Sequence, residues 1–73
     1  MEHIPINFEH EGKNYSGYFN KVAGAGSSSV WHLYDHNNYF LGKLRYTDHW
    51  IFDGKKFTEL ANFFGDYVIA WYQ

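Results

Sequence analysis

The chain has 73 residues, six Lys and Arg against eight Asp and Glu, five His and no cysteine, for a net charge of −2. A net acidic chain argues against dedicated duplex-DNA binding, which needs clustered positive charge, and the absence of cysteine removes disulfides as staples. No run approaches the ~18 apolar residues that would span a bilayer, and Met1-Glu2-His3-Ile4-Pro5 lacks the basic and apolar regions of a signal peptide, so a soluble, cytoplasmic protein with no membrane partner is expected.

One domain is expected over residues 1–73. A chain of this length buries only about 60% of the surface its unfolded form exposes, so its stability must be concentrated. Seven Phe, seven Tyr and three Trp supply that concentration. Each ring can bury roughly 150 to 250 Å² with little rotamer loss.

Ile4, Ile6 and Phe8 alternate with Pro5, Asn7 and Glu9, and the alternation resumes at Tyr15, Gly17 and Phe19. With Glu11-Gly12 as a two-residue turn, His10 faces Lys13, Phe8 faces Tyr15, Ile6 faces Gly17 and Ile4 faces Phe19. Pro5 cannot donate a ladder hydrogen bond, so this strand is expected to be an edge or to begin there. The stretch Ala23-Gly24-Ala25-Gly26-Ser27-Ser28-Ser29 has small side chains and no periodicity, and Gly24, Gly26, Ser27, Ser28 and Ser29 read as a flexible loop.

Val30 to Asp35 and Tyr39 to Thr47 form a second hairpin around Asn37-Asn38. Its expected register pairs Trp31 with Leu44, Leu33 with Gly42 and Asp35 with Phe40, leaving Val30, His32, Tyr34, Leu41, Lys43 and Arg45 on the opposite face. Gly17 and Gly42 each lie across from an aliphatic residue, a gap that admits a ring or an element packed from above. Trp50-Ile51-Phe52 reads as a short strand ended by Asp53-Gly54. Phe57, Leu60, Ala61 and Phe64 follow helical spacing with Gly65 as a C-cap, and the continuous run Tyr67 to Tyr72, with β-branched Val68 and Ile69, reads as a final inner strand.

The expected fold is therefore mainly β with one short helix, an α+β class in the order β-β-β-β-β-α-β. It is either a small open antiparallel sheet with the helix on one face or an SH3-like or OB-like partial barrel.

No motif with catalytic or metal-ligand spacing is present. His32 and His36 are four apart, but in a strand and turn that spacing does not place two ligands together, so no metal and no cofactor are expected. Ser27, Ser28 and Ser29 lack the strand-to-helix setting of a nucleophile elbow, while Asp35, Asp48, Asp53 and Asp66 sit beside turns where Asp bonds local backbone. Gly24-Ala25-Gly26 lacks the Lys-Ser/Thr ending of a phosphate loop. A chain this small also has difficulty enclosing a pocket of several hundred Å³, so it is read as not an enzyme.

The unusual surface is the hairpin face formed by His32, Tyr34, His36, Tyr39, Leu41, Lys43 and Arg45. Aromatic and polar side chains mixed in this way suit a protein contact, and the function expected is a non-catalytic protein-interaction or self-association module, with a protein partner or a homo-oligomer. The alternative is a small β-barrel binding single-stranded nucleic acid through Tyr34, Tyr39, Lys43 and Arg45, which the net acidic charge disfavours.

Overall fold

Glu11 and Gly12 both take left-handed backbone conformations, at φ 53° and 79°, as a type I′ turn requires. This turn joins β1 (His3–His10) to β2 (Lys13–Ala23) in the expected register, with Phe8 opposite Tyr15, Ile6 opposite Gly17 and Ile4 opposite Phe19. The computed structural model describes residues 3–23 and 29–73. β3 (Val30–Asp35), β4 (Phe40–Tyr46) and β5 (Trp50–Gly54) continue the meander, giving one open antiparallel sheet in the order β1-β2-β3-β4-β5. The sheet is the open form of the two expected, not a barrel, and β1 is an edge.

A single helix, α1 (Ala61–Trp71), lies against one face, entered through a 3₁₀ turn at Thr58–Leu60. Between that face and α1 sits the core: Ile4, Ile6, Phe8, Phe19, Trp31, Leu33, Leu44 and Phe52 from the sheet, Phe57 from the connection, and Phe64 and Val68 from the helix. Phe64 is central. Its ring meets Phe8, Phe19 and Phe52 at centroid distances of 5.2, 5.6 and 5.0 Å in edge-on geometry, so one helical residue closes three strands.

The expected final strand does not exist, and Tyr67–Trp71 is helical. Gly65 is not a C-cap but an interior helical residue. A Cβ there would stand 2.2 Å from the Trp50 indole, so glycine is what lets the helix seat against that ring. Apolar residues run on through 67–72 because α1 buries Phe64 and Val68 while exposing Phe63, Ile69 and Trp71, which hides the helical period. Phe57, expected as the first residue on the helical face, precedes the helix in a left-handed conformation at φ 69°, its ring buried against Phe8 and Tyr15.

In the second hairpin Trp31 faces Leu44 and Leu33 faces Gly42 as expected, but Tyr34 rather than Asp35 faces Phe40. The cause is the turn. Asp35 Oδ1 accepts the backbone N–H groups of Asn37 and Tyr39 at 2.8 and 3.0 Å, while the Asp35 carbonyl accepts Asn38 N–H at 2.9 Å, which lengthens the loop beyond two residues. One residue, Leu41, is then left over as a bulge. Phe40 moves to the face away from α1, and Leu41, expected on that outer face, packs against the core instead.

The two strand glycines serve different approaches. A Cβ on Gly42 would meet the Phe52 ring at 2.5 Å, the ring-filled gap expected, whereas on Gly17 it would meet the Tyr34 carbonyl oxygen at 2.1 Å, so there the intruder is neighbouring backbone.

Candidate functional site

The face of the sheet turned away from α1 is built from two register rows. In the first, Pro5, Tyr18, Tyr34 and Phe40 stand side by side on β1 to β4; in the second, His3, Asn20, His32, Lys43 and Asp53 run across all five strands. Within and between the rows the rings touch. His3 stacks on Tyr18 at 4.2 Å and 12°, and Tyr18 on Tyr34 at 5.4 Å and 22°. Phe40 meets both Tyr34 and His32 edge-on at 5.8 and 5.0 Å. His3, Tyr18 and Tyr34 therefore stack in sequence across three strands, and Phe40 closes the row edge-on.

Polar groups fix this arrangement. The Tyr18 hydroxyl donates to Asn38 Oδ1 at 2.6 Å, tying the β3–β4 loop to the row, and the Tyr34 hydroxyl lies 3.5 Å from His32 Nδ1. Arg45 Nε donates to Asp53 Oδ2 at 2.9 Å, so one of the two cations on this face is already neutralised. Asn20, in register between His3 and His32, has its Oδ1 buried without a hydrogen-bond donor among the described residues.

Of the seven surface residues expected from sequence, His32, Tyr34, Lys43 and Arg45 share this face. Leu41 does not, for the reason given by the bulge. His36 and Tyr39 lie in the exposed loop at its end, Tyr39 with 69% of its surface open. The sequence reading missed His3, Tyr18, Asn20 and Phe40. Alternation along β1 and β2 placed the first three opposite the core, and that signal was there to use; Phe40 required knowing the bulge. Of the expected flexible loop, Gly24, Gly26, Ser27 and Ser28 lie outside the described residues, and Ser29 is buried, with 3% exposure.

Two other clusters were not foreseen. His10 Nε2 bonds Glu59 Oε2 at 2.7 Å and lies 4.0 Å from Glu11 Oε2, three possible metal ligands drawn together where the first turn meets the 3₁₀ turn. Lys13, Lys55 and Lys56 line the same hollow, an electrostatic setting that opposes a cation. The His10 hydrogen bond holds the Glu59 carboxyl below its ordinary pKa. His32 and His36 take no part.

The second cluster is a half-open cleft of about 510 Å³ between α1 and the β2–β5 side of the sheet, lined by Lys21, Ser29, Trp31, Tyr46, Trp50, Val68, Ile69 and Tyr72. A hollow of several hundred Å³ was not expected in so short a chain. It arises because Tyr67–Trp71 is part of a helix packed on the sheet rather than a strand within it.

No family model, no curated protein and no solved structure matches this chain. No helix among the described residues is long and apolar enough to cross a membrane.

Proposed function

We propose that the chain is a non-catalytic interaction module that binds protein, in its simplest form a second copy of itself, through the sheet face left uncovered by α1. The observation that carries this reading is the ring row across four strands, held by mutual stacking before any partner arrives. Side chains already fixed by their neighbours lose little freedom on binding, and Tyr and His edges offer both apolar contact and hydrogen bonds.

Backbone geometry at the β1 edge bears on how a second copy would dock. In a two-residue hairpin the closing pair is hydrogen-bonded and the state alternates along the ladder, so Pro5 turns its backbone to the free edge. It has no N–H to offer there, and its carbonyl accepts the Tyr67 hydroxyl at 2.5 Å. Strand addition at β1 is disfavoured at that point. Five strands about 4.8 Å apart and about 20 Å long present on the order of 500 Å² per partner, the low end for a specific contact, so a weak, reversible dimer is expected.

The nucleic-acid alternative has less support. Base stacking needs open ring faces, and Tyr18 and Tyr34 already spend one on each other. Lys43 and Arg45 are balanced on the same face by Glu9 and Asp53.

Light scattering from about 20 μM to about 1 mM tests the proposal, over the range where contacts of this size associate. The expected result is a mass rising toward twice 8.7 kDa and falling back in Tyr34→Ala. A constant monomer mass at the highest concentration removes the self-association form.

A further inference from the structure

The cleft on the helix side is chemically unlike the uncovered sheet face. Trp50, Val68 and Ile69 give it apolar walls, and Tyr46, Ile69 and Tyr72 are large apolar residues left exposed at its rim. Among the described residues lining it, Lys21 alone is charged, and Lys21 makes no ion pair with another described residue. Directly opposite Lys21 across the β2–β3 ladder is Trp31, which is 5% exposed and whose indole Nε1 is buried without an acceptor among the described residues. An unpaired cation and a donor without an acceptor among the described residues, on register partners that both line an apolar hollow, specify a ligand with an apolar body and one anionic, acceptor-only head.

We propose that this cleft binds a small amphipathic carboxylate. The carboxylate sits at Lys21 and accepts from Trp31 Nε1, and the hydrocarbon lies along Trp50, Val68 and Ile69. The cleft is within the ~300 to 1,000 Å³ usual for small-molecule sites, ample for a medium-length chain or a single aromatic ring. Nε1 is closed to water in the free protein, so the hydrogen bond forms as the ligand shifts the Trp31–Trp50 contact, whose rings lie 6.1 Å apart.

Octanoate, 1-octanol and octylammonium separate the parts of this proposal, each titrated below its micelle-forming concentration into isotopically labelled protein and followed by amide and indole resonances. Octanoate is expected to move the Trp31 indole N–H together with the Lys21 and Ile69 amides, to bind about tenfold more tightly than octanol, and to exceed octylammonium by more, as a single charge contact allows. Lys21→Met should reduce octanoate to the affinity of octanol. Ile69→Trp, at an exposed position on the rim, should fill the cleft and abolish binding of both while leaving the core resonances in place.

Equal binding of all three compounds, octanoate affinity unchanged in Lys21→Met, or shifts confined to the sheet face opposite α1 would each overturn the assignment. So would the absence of any shift at millimolar octanoate.

Discussion

The two faces of the sheet use the same residue types to opposite ends. Against α1, rings and aliphatic chains interlock edge-on and are almost wholly buried, with Phe19, Phe64, Leu33 and Leu44 fully so. On the other face Tyr18, Tyr34 and His32 are only half-buried, and Phe40 is 55% exposed, yet their rings are as mutually ordered as those in the core. Aromatic content alone therefore does not mark a core. What separates the faces is the third dimension: α1 supplies Phe64 and Val68 to one, and nothing among the described residues covers the other.

Core substitutions should break the first face outright. Phe64→Ala and Trp31→Ala each remove a large buried ring and are expected to cost about 3 to 5 kcal/mol, enough to leave so small a fold largely unfolded by thermal denaturation. Gly65→Ala sharpens the point. Helix propensity alone would favour alanine by about 1 kcal/mol, but the Trp50 indole occupies the space a Cβ needs, so a net loss of roughly 1 to 3 kcal/mol is expected. A stabilised Gly65→Ala protein would show that α1 is not seated on Trp50.

The uncovered face should respond differently. Tyr34→Ala is expected to lower stability by about 1 kcal/mol or less while weakening association, because it loses stacking but little burial. If it unfolds the protein as severely as Trp31→Ala does, the faces are not distinct. Asn20→Leu should raise the melting temperature, by an amount equivalent to about 1 kcal/mol, since a buried acceptor without a donor is removed.

The smallest effect belongs to the His10–Glu59 pair at the rim of the core. Glu59 has a lowered pKa in the folded protein, so its contribution is present above the unfolded glutamate pKa and is lost as pH falls through the folded value. Thermal unfolding from neutral pH down to about pH 3, across the carboxylate range, should show a slightly shallower acid decline in Glu59→Gln. An identical decline would mean the hydrogen bond is not maintained in solution.

Much of this was legible in the chain. Period-two alternation and the Glu11-Gly12 turn were enough for the first hairpin's register, because a slip of one residue would have exposed Ile4, Ile6 and Phe8 together. Trp31 opposite Leu44 followed from the same logic. The end of the second hairpin did not, since an Asp side chain capping its own loop changes the loop length without changing the hydrophobic pattern. The last helix was misread because glycine and β-branched residues argued locally against it, while the decisive contact, Trp50 on Gly65, joins positions that no local window compares. The spacing Leu60, Ala61, Phe64, Val68 did carry the helical period past Gly65. For the site, the His3, Tyr18, Asn20, His32 and Tyr34 part of the outer face could be assembled from alternation in three strands, but Phe40 needed the bulge, and the stacking of the rings is a property of packed side chains.

The claim that the uncovered face is the interaction surface competes with the other exposed apolar residues, among them Phe63, Ile69 and Trp71 on α1. Amide shifts followed on dilution from about 1 mM to about 50 μM decide between them, since weak association of the expected size responds over that range. The account predicts changes concentrated at Tyr18, Asn20, His32, Tyr34 and Phe40, with α1 unmoved. Changes centred on Phe63, Ile69 and Trp71, or a spectrum that does not change at all, would contradict it.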